Sequence, residues 1–245
     1  MRRRLVRAAK GLVESLFDVR IYSAQPHGRD DCHDIQRTDI PIRTILDVGA
    51  HTGESALKFN AAFAGAMIHA FEPVSRTFAL LQQSVAAHPN IHCHQLALGD
   101  KAGTASIYLT SHSTMSSLVR PEYSSGEEQV QVTTVDDFVA AHALPHIHLL
   151  KVDAEGFDLN VLRGADSTLS EGRISFVLTE VTFSRSEAAH VLFDEVRDFL
   201  ADRRFAVFGI YDQQLEWSGE NRLRYANVCF CHETNLLARN NGQSS

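Results

Sequence analysis

The chain has 245 residues, of which 44% are hydrophobic and 22% charged, and these fractions exclude a wholly disordered or fibrous protein. Thirty acidic residues against 23 Lys and Arg leave a formal charge of −7. This balance argues against nucleic acid as a partner, because phosphate binding needs a basic surface. No run of about 18 uncharged apolar residues occurs, so the sequence predicts no transmembrane segment.

The first 34 residues are predicted to form an N-terminal helix and a linker (domain range 1–34). Apolar residues recur at helical spacing from Met1 to Phe17 behind a cluster of arginines, which indicates an amphipathic helix with a basic end. Arg7 and Lys10 interrupt any apolar core, so a signal peptide is not indicated. The helix either caps the domain or docks on a membrane surface. Residues 23–34 are polar and contain Pro and Gly, as linkers do.

Strand-like and helix-like segments alternate over residues 35–232, the predicted folded domain. The strands are expected at 42–48, 66–71, 91–98, 104–109, 129–133, 147–152, 174–180, 205–211 and 225–231, and the helices at 53–63, 75–87, 135–142, 159–162 and 188–200. This alternation predicts an α/β fold with a doubly wound, mostly parallel sheet covered on both faces. The last two strands follow each other without a helix, which predicts an antiparallel last strand in an edge hairpin. Residues 233–245 are expected to be a flexible tail.

The cysteines and histidines do not predict a metal centre. The four cysteines include no C-x-x-C pair, so we expect a cytoplasmic protein with reduced, buried thiols. The thirteen histidines are interpreted as separate surface or core residues, including His92, His94, His142, His146 and His148.

The turn after the first predicted strand reads D-V-G-A-H-T-G-E over residues 47–54. In doubly wound sheets the ligand lies outside the carboxyl ends of the strands, where the strand order reverses. Gly49 and Gly53 allow a tight turn close to a ligand, and the following helix presents free N–H groups. His51 and Glu54 break the G-x-G-x-x-G pattern, and an acid at Glu54 disfavours a pyrophosphate. The turn therefore favours a cationic or zwitterionic ligand over NAD.

Two further strand ends carry an acid. Glu72, in F-E-P, follows Gly49 by 23 residues, where such domains use a carboxylate to accept from both ribose hydroxyls. The alternative is a surface glutamate in a turn before Pro73. Asp100, in L-A-L-G-D, lies beside apolar residues, a combination that suits adenine and its exocyclic amine.

Together with T-V-D-D-F and L-L-K-V-D-A-E-G-F-D-L-N-V-L-R-G, these segments resemble the FkbM-type S-adenosylmethionine-dependent methyltransferases from about Thr44 to Phe230. The resemblance implies a class I methyltransferase (Rossmann-like) fold with seven strands, the last antiparallel. It also implies O-methylation of a hydroxyl on a sugar, polyketide or other small molecule. Asp158 stands where the family commonly has Glu, and His51 where many class I methyltransferases have glycine.

The chemistry of S-adenosylmethionine fits the same residues. Asp47 and Glu54 offer negative charge to its sulfonium and ammonium groups. The backbone from Gly49 through His51 to Gly53 admits the methionine part. Glu72 is expected to bind the ribose diol and Asp100 the adenine.

Candidate catalytic residues follow from the need for a base, because a hydroxyl is a poor nucleophile at neutral pH. Asp153 is the first candidate for base or acceptor anchor, and Glu155 shares its face at strand spacing. The two carboxylates could also hold Mg²⁺, although a structural salt bridge between Lys151 and Glu155 is an alternative. Glu180 is a third acid on the same rim, and His112, in a polar loop, is an alternative base.

Two other functions stay open, because fold does not fix function. One is an NAD- or nucleotide-sugar-linked oxidoreductase, and the other is a catalytically degenerate binding module. The missing G-x-G-x-x-G counts against the first, and the intact acids count against the second. The expected partner is a small-molecule or glycan acceptor, whose identity the sequence does not name, and a homo-oligomer stays open.

Overall fold

The computed structural model describes residues 26–109, 126–185, 190–216, 219 and 221–237. The predicted helix at 1–17, the loop that carries His112 and the end of the predicted tail lie outside these residues. None of the described helices is long and apolar enough to cross a membrane.

The described elements follow the predicted alternation. The strands are β1 Thr44–Val48, β2 Met67–Phe71, β3 Ile91–His94, β4 Ala97–Leu98, β5 Gly103–Leu109, β6 Gly126–Thr133, β7 Ile147–Val152, β8 Ile174–Thr182, β9 Phe205–Leu215 and β10 Leu223–His232. The helices are α1 Asp31–Gln36, α2 Glu54–Ala62, α3 Ser75–Ser84, α4 Val135–Ala141, α5 Asp158–Arg163, α6 Asp166–Ser170, α7 Phe193–Ala201 and α8 Glu233–Leu237.

The main sheet has seven strands in the order β3-β2-β1-β7-β8-β10-β9. Adjacent strands of this sheet are parallel from β3 to β8, and β10 pairs antiparallel with both β8 and β9. The strand order reverses between β1 and β7, which places the ligand-binding edge there. The predicted class I methyltransferase fold, with its antiparallel last strand, is confirmed.

Helices cover both faces of this sheet, so the central strands bury apolar side chains on both faces. Ile45 and Leu149 enter one core with Phe59 of α2. Leu46 and Leu150 enter a second core on the opposite face. The side chains alternate between the faces because the period of a strand is two residues.

The predicted strand 91–98 is two strands in different sheets, so this prediction is wrong. β3 ends at His94, and β4 pairs with β6 in a three-stranded sheet of order β4-β6-β5. Ala97 and Ile107 are buried in a small core of that sheet together with Val74, at the start of α3. The apolar pattern after Gln95 is therefore satisfied by a second sheet.

The predicted linker differs from the structure at its end, where α1 begins. Asp30 caps this helix by accepting from the backbone N–H of His33 at 2.8 Å. Asp34 is 2% exposed and accepts from the Tyr211 hydroxyl at 3.2 Å. The polar residues that suggested a linker are thus a helix cap and a buried hydrogen-bond acceptor.

The histidines on β2 and β3 are not scattered, which corrects their interpretation as separate residues. His69 Nδ1 lies 3.0 Å from His94 Nε2, and the His69 ring stacks on His92 with centroids 5.5 Å apart. His142, at the end of α4, contacts His94 with ring centroids 5.8 Å apart. Parallel register brings the β2 and β3 side chains together, and the hydrophobic core covers His69.

Candidate active site

A cavity of about 480 Å³ opens at the carboxyl ends of β1, β2 and β7. Small-molecule pockets range from roughly 300 to 1,000 Å³, so the cavity has room for a cofactor-sized ligand. It lies at the reversal of strand order, where the sequence predicted the site. Six of the predicted residues line it: Gly49, His51, Glu54, Glu72, Asp153 and Glu155.

The turn after β1 is held by the neighbouring strands. The N–H groups of Gly49 and Ala50 both donate to the carbonyl of Phe71, at 3.1 and 2.9 Å. Gly49 has φ +72°, and a Cβ there would lie 1.9 Å from the carbonyl oxygen of Asp153. Gly49 is therefore required by the packing of the chain itself. Gly53, with φ +95°, caps α2 and lies outside the lining.

Glu72 places a buried carboxylate at the cavity. Its side chain is among the buried polar groups, 7% exposed, and Oε1 accepts from the N–H of Val74 at 2.9 Å. Burial raises its pKa to about 7, while hydrogen bonds from the backbone of Val74 and His51 oppose the shift. The surface-turn alternative is excluded by this burial.

Apolar side chains form a wall beside Glu72. Leu96 and Leu98 contribute from the segment of β4, and Ile107 from β5 of the second sheet. The sequence missed Ile107 because its place depends on the second sheet. Asp100, predicted to bind adenine, is exposed and lies outside the lining.

Asp47 lies behind the lining and holds Lys151. It is fully buried, with Oδ2 accepting from the Ser55 hydroxyl at 2.6 Å and Oδ1 lying 3.3 Å from Lys151 Nζ. Lys151 Nζ also lies 3.3 Å from Asp153 Oδ2 and donates to the Gly49 carbonyl at 3.1 Å. Burial lowers the pKa of Lys151, but the two aspartates outweigh it and raise the pKa above its usual range. Asp47 therefore faces Lys151 and Ser55, in place of the predicted ligand contact.

Glu155 reaches the cavity from a turn, in place of the predicted strand spacing. β7 ends at Val152, and Glu155 and Gly156 both have left-handed backbone, with φ +47° and +87°. Asp158 holds the turn by accepting from the N–H groups of Ala154 and Gly156, each at 3.2 Å. The acid that departs from the family pattern is thus 2% exposed and supports the backbone.

The acidic side chains around this turn raise one another's pKa values. Burial, followed by the charges of Asp153 and Glu180, raises the pKa of Glu155 to about 8. Burial and the charge of Asp153 raise the pKa of Asp158 to about 6. Glu180 has a pKa near 7 for the same two reasons, and its Oε2 lies 3.4 Å from His190 Nδ1. Glu180 itself lies outside the cavity lining.

The sequence did not single out four further lining residues: Asp31, Lys58, Asp212 and Asn227. Lys58 lies one helical turn after Glu54 on the same face of α2, so helical spacing could have identified it. The other three come from α1, β9 and β10, and only the tertiary structure brings them to the cavity. His112, the remaining predicted residue, lies outside the described residues.

Known proteins resemble the chain over most of this domain. The model of the methyltransferase FkbM domain matches residues 47–207. "Methyltransferase 1" of Beauveria bassiana is 26% identical over 201 residues, covering 73% of this chain and 78% of the relative. The 2-O-methyltransferase NoeI of Sinorhizobium fredii is 24% identical over 156 residues, covering 57% of this chain and 63% of the relative. The 31-O-demethyl-FK506 methyltransferase FkbM of Streptomyces tacrolimicus is 26% identical, covering 58% and 66%. The last two relatives are thus matched over slightly less than two thirds of their length.

Solved structures resemble the chain only remotely. An rRNA methylase from Streptococcus thermophilus is 11% identical, covers 82% of this chain and 93% of its own, and has a TM-score of 0.47. TrmK from M. capricolum, solved with S-adenosylhomocysteine, is 9% identical, covers 82% and 66%, and has a TM-score of 0.47. The fold class follows from the strand order of the main sheet.

Proposed function

Since this chain belongs to the FkbM methyltransferase domain family, we propose that it transfers the methyl group of S-adenosylmethionine to a hydroxyl of a small molecule or glycan in the cytoplasm. The observation that carries the proposal is the cavity at the reversal of strand order, lined by the Gly49 turn and the buried Glu72 carboxylate. The names of two relatives, which are O-methyltransferases, support a hydroxyl acceptor. The four free cysteines support a reducing compartment.

The residues of the cavity fit S-adenosylmethionine. Glu72 keeps carboxylate lone pairs for a ribose diol, and the wall of Leu96, Leu98 and Ile107 offers an apolar surface to adenine. Glu54, in the first turn of α2, lines the cavity and offers a negative charge to the ammonium group. We do not extend the proposal to Mg²⁺, because the Lys151 ammonium already neutralises the Asp153 carboxylate.

Proton removal from the acceptor is assigned to Glu155. When bound, S-adenosylmethionine would supply a methyl group for the acceptor oxygen, and the C–S electron pair would return to sulfur. Glu155 takes the hydroxyl proton in this step, because a base works best with a pKa near the working pH, and its pKa is about 8. Asp153, the first candidate from the sequence, is paired with Lys151 and is assigned to positioning.

The cofactor assignment is tested by titrating S-adenosylhomocysteine into the protein and its Glu72→Gln variant in a calorimeter. Glutamine keeps an oxygen for the N–H of Val74 but loses the charge-assisted bonds to the diol. The affinity should fall about 10- to 100-fold, equivalent to roughly 1.5–3 kcal/mol. For the wild type, the affinity should also weaken below pH 7, as Glu72 becomes protonated.

Asp100→Asn is the matched control, since Asp100 is an exposed acid outside the lining. Its affinity for S-adenosylhomocysteine should equal that of the wild type. Unchanged affinity in Glu72→Gln would remove Glu72 from the site, and a wild type that binds no S-adenosylhomocysteine would refute the proposed function.

A further inference from the structure

Three histidines from separate elements meet at the β3 edge of the main sheet: His69 on β2, His94 on β3 and His142, which follows α4. The ring centroid of His69 lies 5.2 Å from that of His94 and 5.9 Å from that of His142. The centroids of His94 and His142 are 5.8 Å apart. Imidazoles that bind one metal ion through nitrogens at about 2.0–2.1 Å have ring centroids roughly 5–5.5 Å apart. The triangle of rings is therefore close in size to a three-histidine metal site.

Two of these rings already hold their nitrogens near the spacing of metal ligands. His69 Nδ1 and His94 Nε2 are 3.0 Å apart. The ligand nitrogens of a tetrahedral zinc ion are roughly 3.3 Å apart. A histidine must be neutral to bind a metal, and burial together with neighbouring histidines lowers the pKa of His69 and His94 to about 4. Both rings are thus neutral at pH 7 and can bind an ion without first losing a proton.

The His69 ring lacks a second polar partner. The residue is 5% exposed, and within the described part of the chain its buried Nε2 atom has no hydrogen-bond partner. Buried polar side chains are normally hydrogen-bonded, so a core histidine with incomplete pairing requires an explanation. A role as a metal ligand explains why the ring is kept in the core beside His94.

A second histidine pair shows the contrast with a structural role. The rings of His146 and His148 have centroids 4.8 Å apart. His146 Nε2 lies 2.7 Å from the Ser175 hydroxyl oxygen, and His148 Nδ1 accepts from the N–H of Thr44 at 3.2 Å. These nitrogens are bound to other parts of the protein, whereas the nearest nitrogens of the other pair contact each other.

His142 offers the third nitrogen from the solvent side. Its Nδ1 lies 2.9 Å from the carbonyl oxygen of Phe138, so donation to this oxygen leaves Nε2 with the lone pair. Metal-binding histidines usually make a second hydrogen bond of this kind, which fixes the tautomer. The residue is exposed, so its side chain can adjust to bring Nε2 toward His69 and His94. Water can then supply the fourth ligand.

We propose that His69, His94 and His142 form a binding site for a zinc ion at the edge of the main sheet. The inference goes beyond the proposed function and does not rest on it. Imidazole nitrogen suits Zn²⁺, whereas Mg²⁺ prefers oxygen ligands. The site lies directly behind the candidate active site, because the carbonyl of His94 accepts from the N–H of Glu72 at 3.1 Å. The ion ties β2, β3 and the end of α4 together next to that carboxylate.

The test is a calorimetric titration of Zn²⁺ into the full chain, prepared without a histidine tag. The wild type should bind one equivalent whose affinity falls at least about tenfold in His94→Gln and in His142→Gln. Mg²⁺ should not compete. Co²⁺ in place of Zn²⁺ should give the visible absorption of a tetrahedral ion in the wild type and lose it in both variants.

Two further variants control for zinc binding elsewhere. His146→Gln changes the second histidine pair. Asp30→Asn changes a group of possible ligands, since atoms of Asp30, Asp31 and Cys32 lie within 4.8 Å of one another. Asparagine can still cap α1, so this variant should fold normally. Both controls should bind Zn²⁺ with wild-type affinity.

The site is overturned if the wild type binds no Zn²⁺, or if His142→Gln binds it with wild-type affinity. Wild-type affinity in a folded His94→Gln protein would also overturn it. If His94→Gln does not fold, the exposed His142→Gln decides alone, because its metal-free melting temperature should equal that of the wild type. A tenfold loss confined to His146→Gln or Asp30→Asn would place the ion at that residue instead. Binding of S-adenosylhomocysteine, measured separately, tests the proposed function independently of these results.

Discussion

Asp153 and Glu155 lie two residues apart, yet their surroundings give them different properties. The Asp153 carboxylate lies 3.3 Å from the Lys151 ammonium. Glu155 is placed among acids, and burial together with their charges raises its pKa to about 8. Sequence spacing placed both carboxylates on one face and made Asp153 the first candidate for the base, whereas the structure pairs Asp153 with Lys151.

Glu155→Gln should lower the rate of methyl transfer about 100-fold, because it removes the proposed base and keeps the shape of the side chain. The wild-type rate should rise with pH, reach half its maximum near pH 8 and level off above it, as Glu155 ionises. The measurement is single-turnover methyl transfer to an acceptor found by screening, at several pH values.

Asp153→Asn is the comparison variant for this experiment. It should lower thermal stability by weakening the hold on Lys151, with a smaller loss of rate than Glu155→Gln. A larger loss of rate in Asp153→Asn than in Glu155→Gln would indicate that Asp153 is the base.

Gly49→Ala should destabilise the folded protein even without ligand. A Cβ at position 49 would lie 1.9 Å from the carbonyl oxygen of Asp153. The alanine would also have to adopt the left-handed backbone conformation of Gly49, with φ +72°. We expect a loss of about 2–4 kcal/mol in the free energy of unfolding, measured by denaturant titration.

Gly65→Ala provides the matched control for Gly49→Ala. Gly65 has φ +81°, but a Cβ there would meet no atom within 4 Å. Its loss should be about 1 kcal/mol, from the backbone conformation alone. Equal losses in the two variants would show that the contact with Asp153 adds nothing.

Between elements, the packing of β2, β3 and the end of α4 creates a histidine cluster that contains His69 and His94. Burial, followed by the charges of neighbouring histidines, lowers the pKa of both His69 and His94 to about 4. Their unfolded values are near 6.5, so the unfolded chain binds more protons at acidic pH. The two neutral histidines therefore contribute fully to the free energy of unfolding above pH 6.5, and this contribution is lost as the pH falls toward 4.

The double variant His69→Leu/His94→Phe should therefore lose less stability on acidification than the wild type. Between pH 7 and pH 5 we expect the difference to be about 3–4 kcal/mol, measured by urea unfolding at both values. The acid-induced loss of stability must be compared between the wild type and the double variant, because three other groups also titrate in this range. Glu72, Glu155 and Glu180 have raised pKa values. These acids bind protons in the folded state, so their own contribution to stability changes with pH in the opposite direction.

His33→Asn, on α1, serves as the control for the histidine pair. Between pH 7 and pH 5 its free energy of unfolding should fall by the same amount as that of the wild type. A double variant with the same acid sensitivity as the wild type would exclude His69 and His94 as the cause.

At the scale of the whole molecule, the cavity connects the two sheets and the edge hairpin, so its ligand should stabilise the entire domain. At 100 times its dissociation constant, S-adenosylhomocysteine should add about 2.7 kcal/mol to the free energy of unfolding and raise the melting temperature. NAD at the same concentration should produce no shift, because Glu54 lines the cavity at the start of α2 and repels a pyrophosphate. A shift with NAD alone would instead favour an oxidoreductase.

Local sequence patterns determined the parallel sheet and the position of the candidate site at its carboxyl edge. Apolar runs of strand length, separated by helical periods, indicated a parallel sheet. In such a sheet the carboxyl ends of the strands meet, so Gly49, Glu72, Asp153 and Glu155 could be assigned to one place from the strand ends on which they lie. Each of these inferences used only residues near one another in the chain.

The tertiary structure alone decided how side chains from distant segments meet. Asp34 and Tyr211 are 177 residues apart in sequence and share a hydrogen bond, which turned a predicted linker into a packed helix. Lys151 joins Asp47 to Asp153 because β1 and β7 are adjacent strands. A bulge at Asp212 of β9 arises from the register of this strand against β10 and leaves no mark in a strand pattern of period two. Hydrophobic periodicity reports which side of an element is buried, and it carries no information about what lies across the contact.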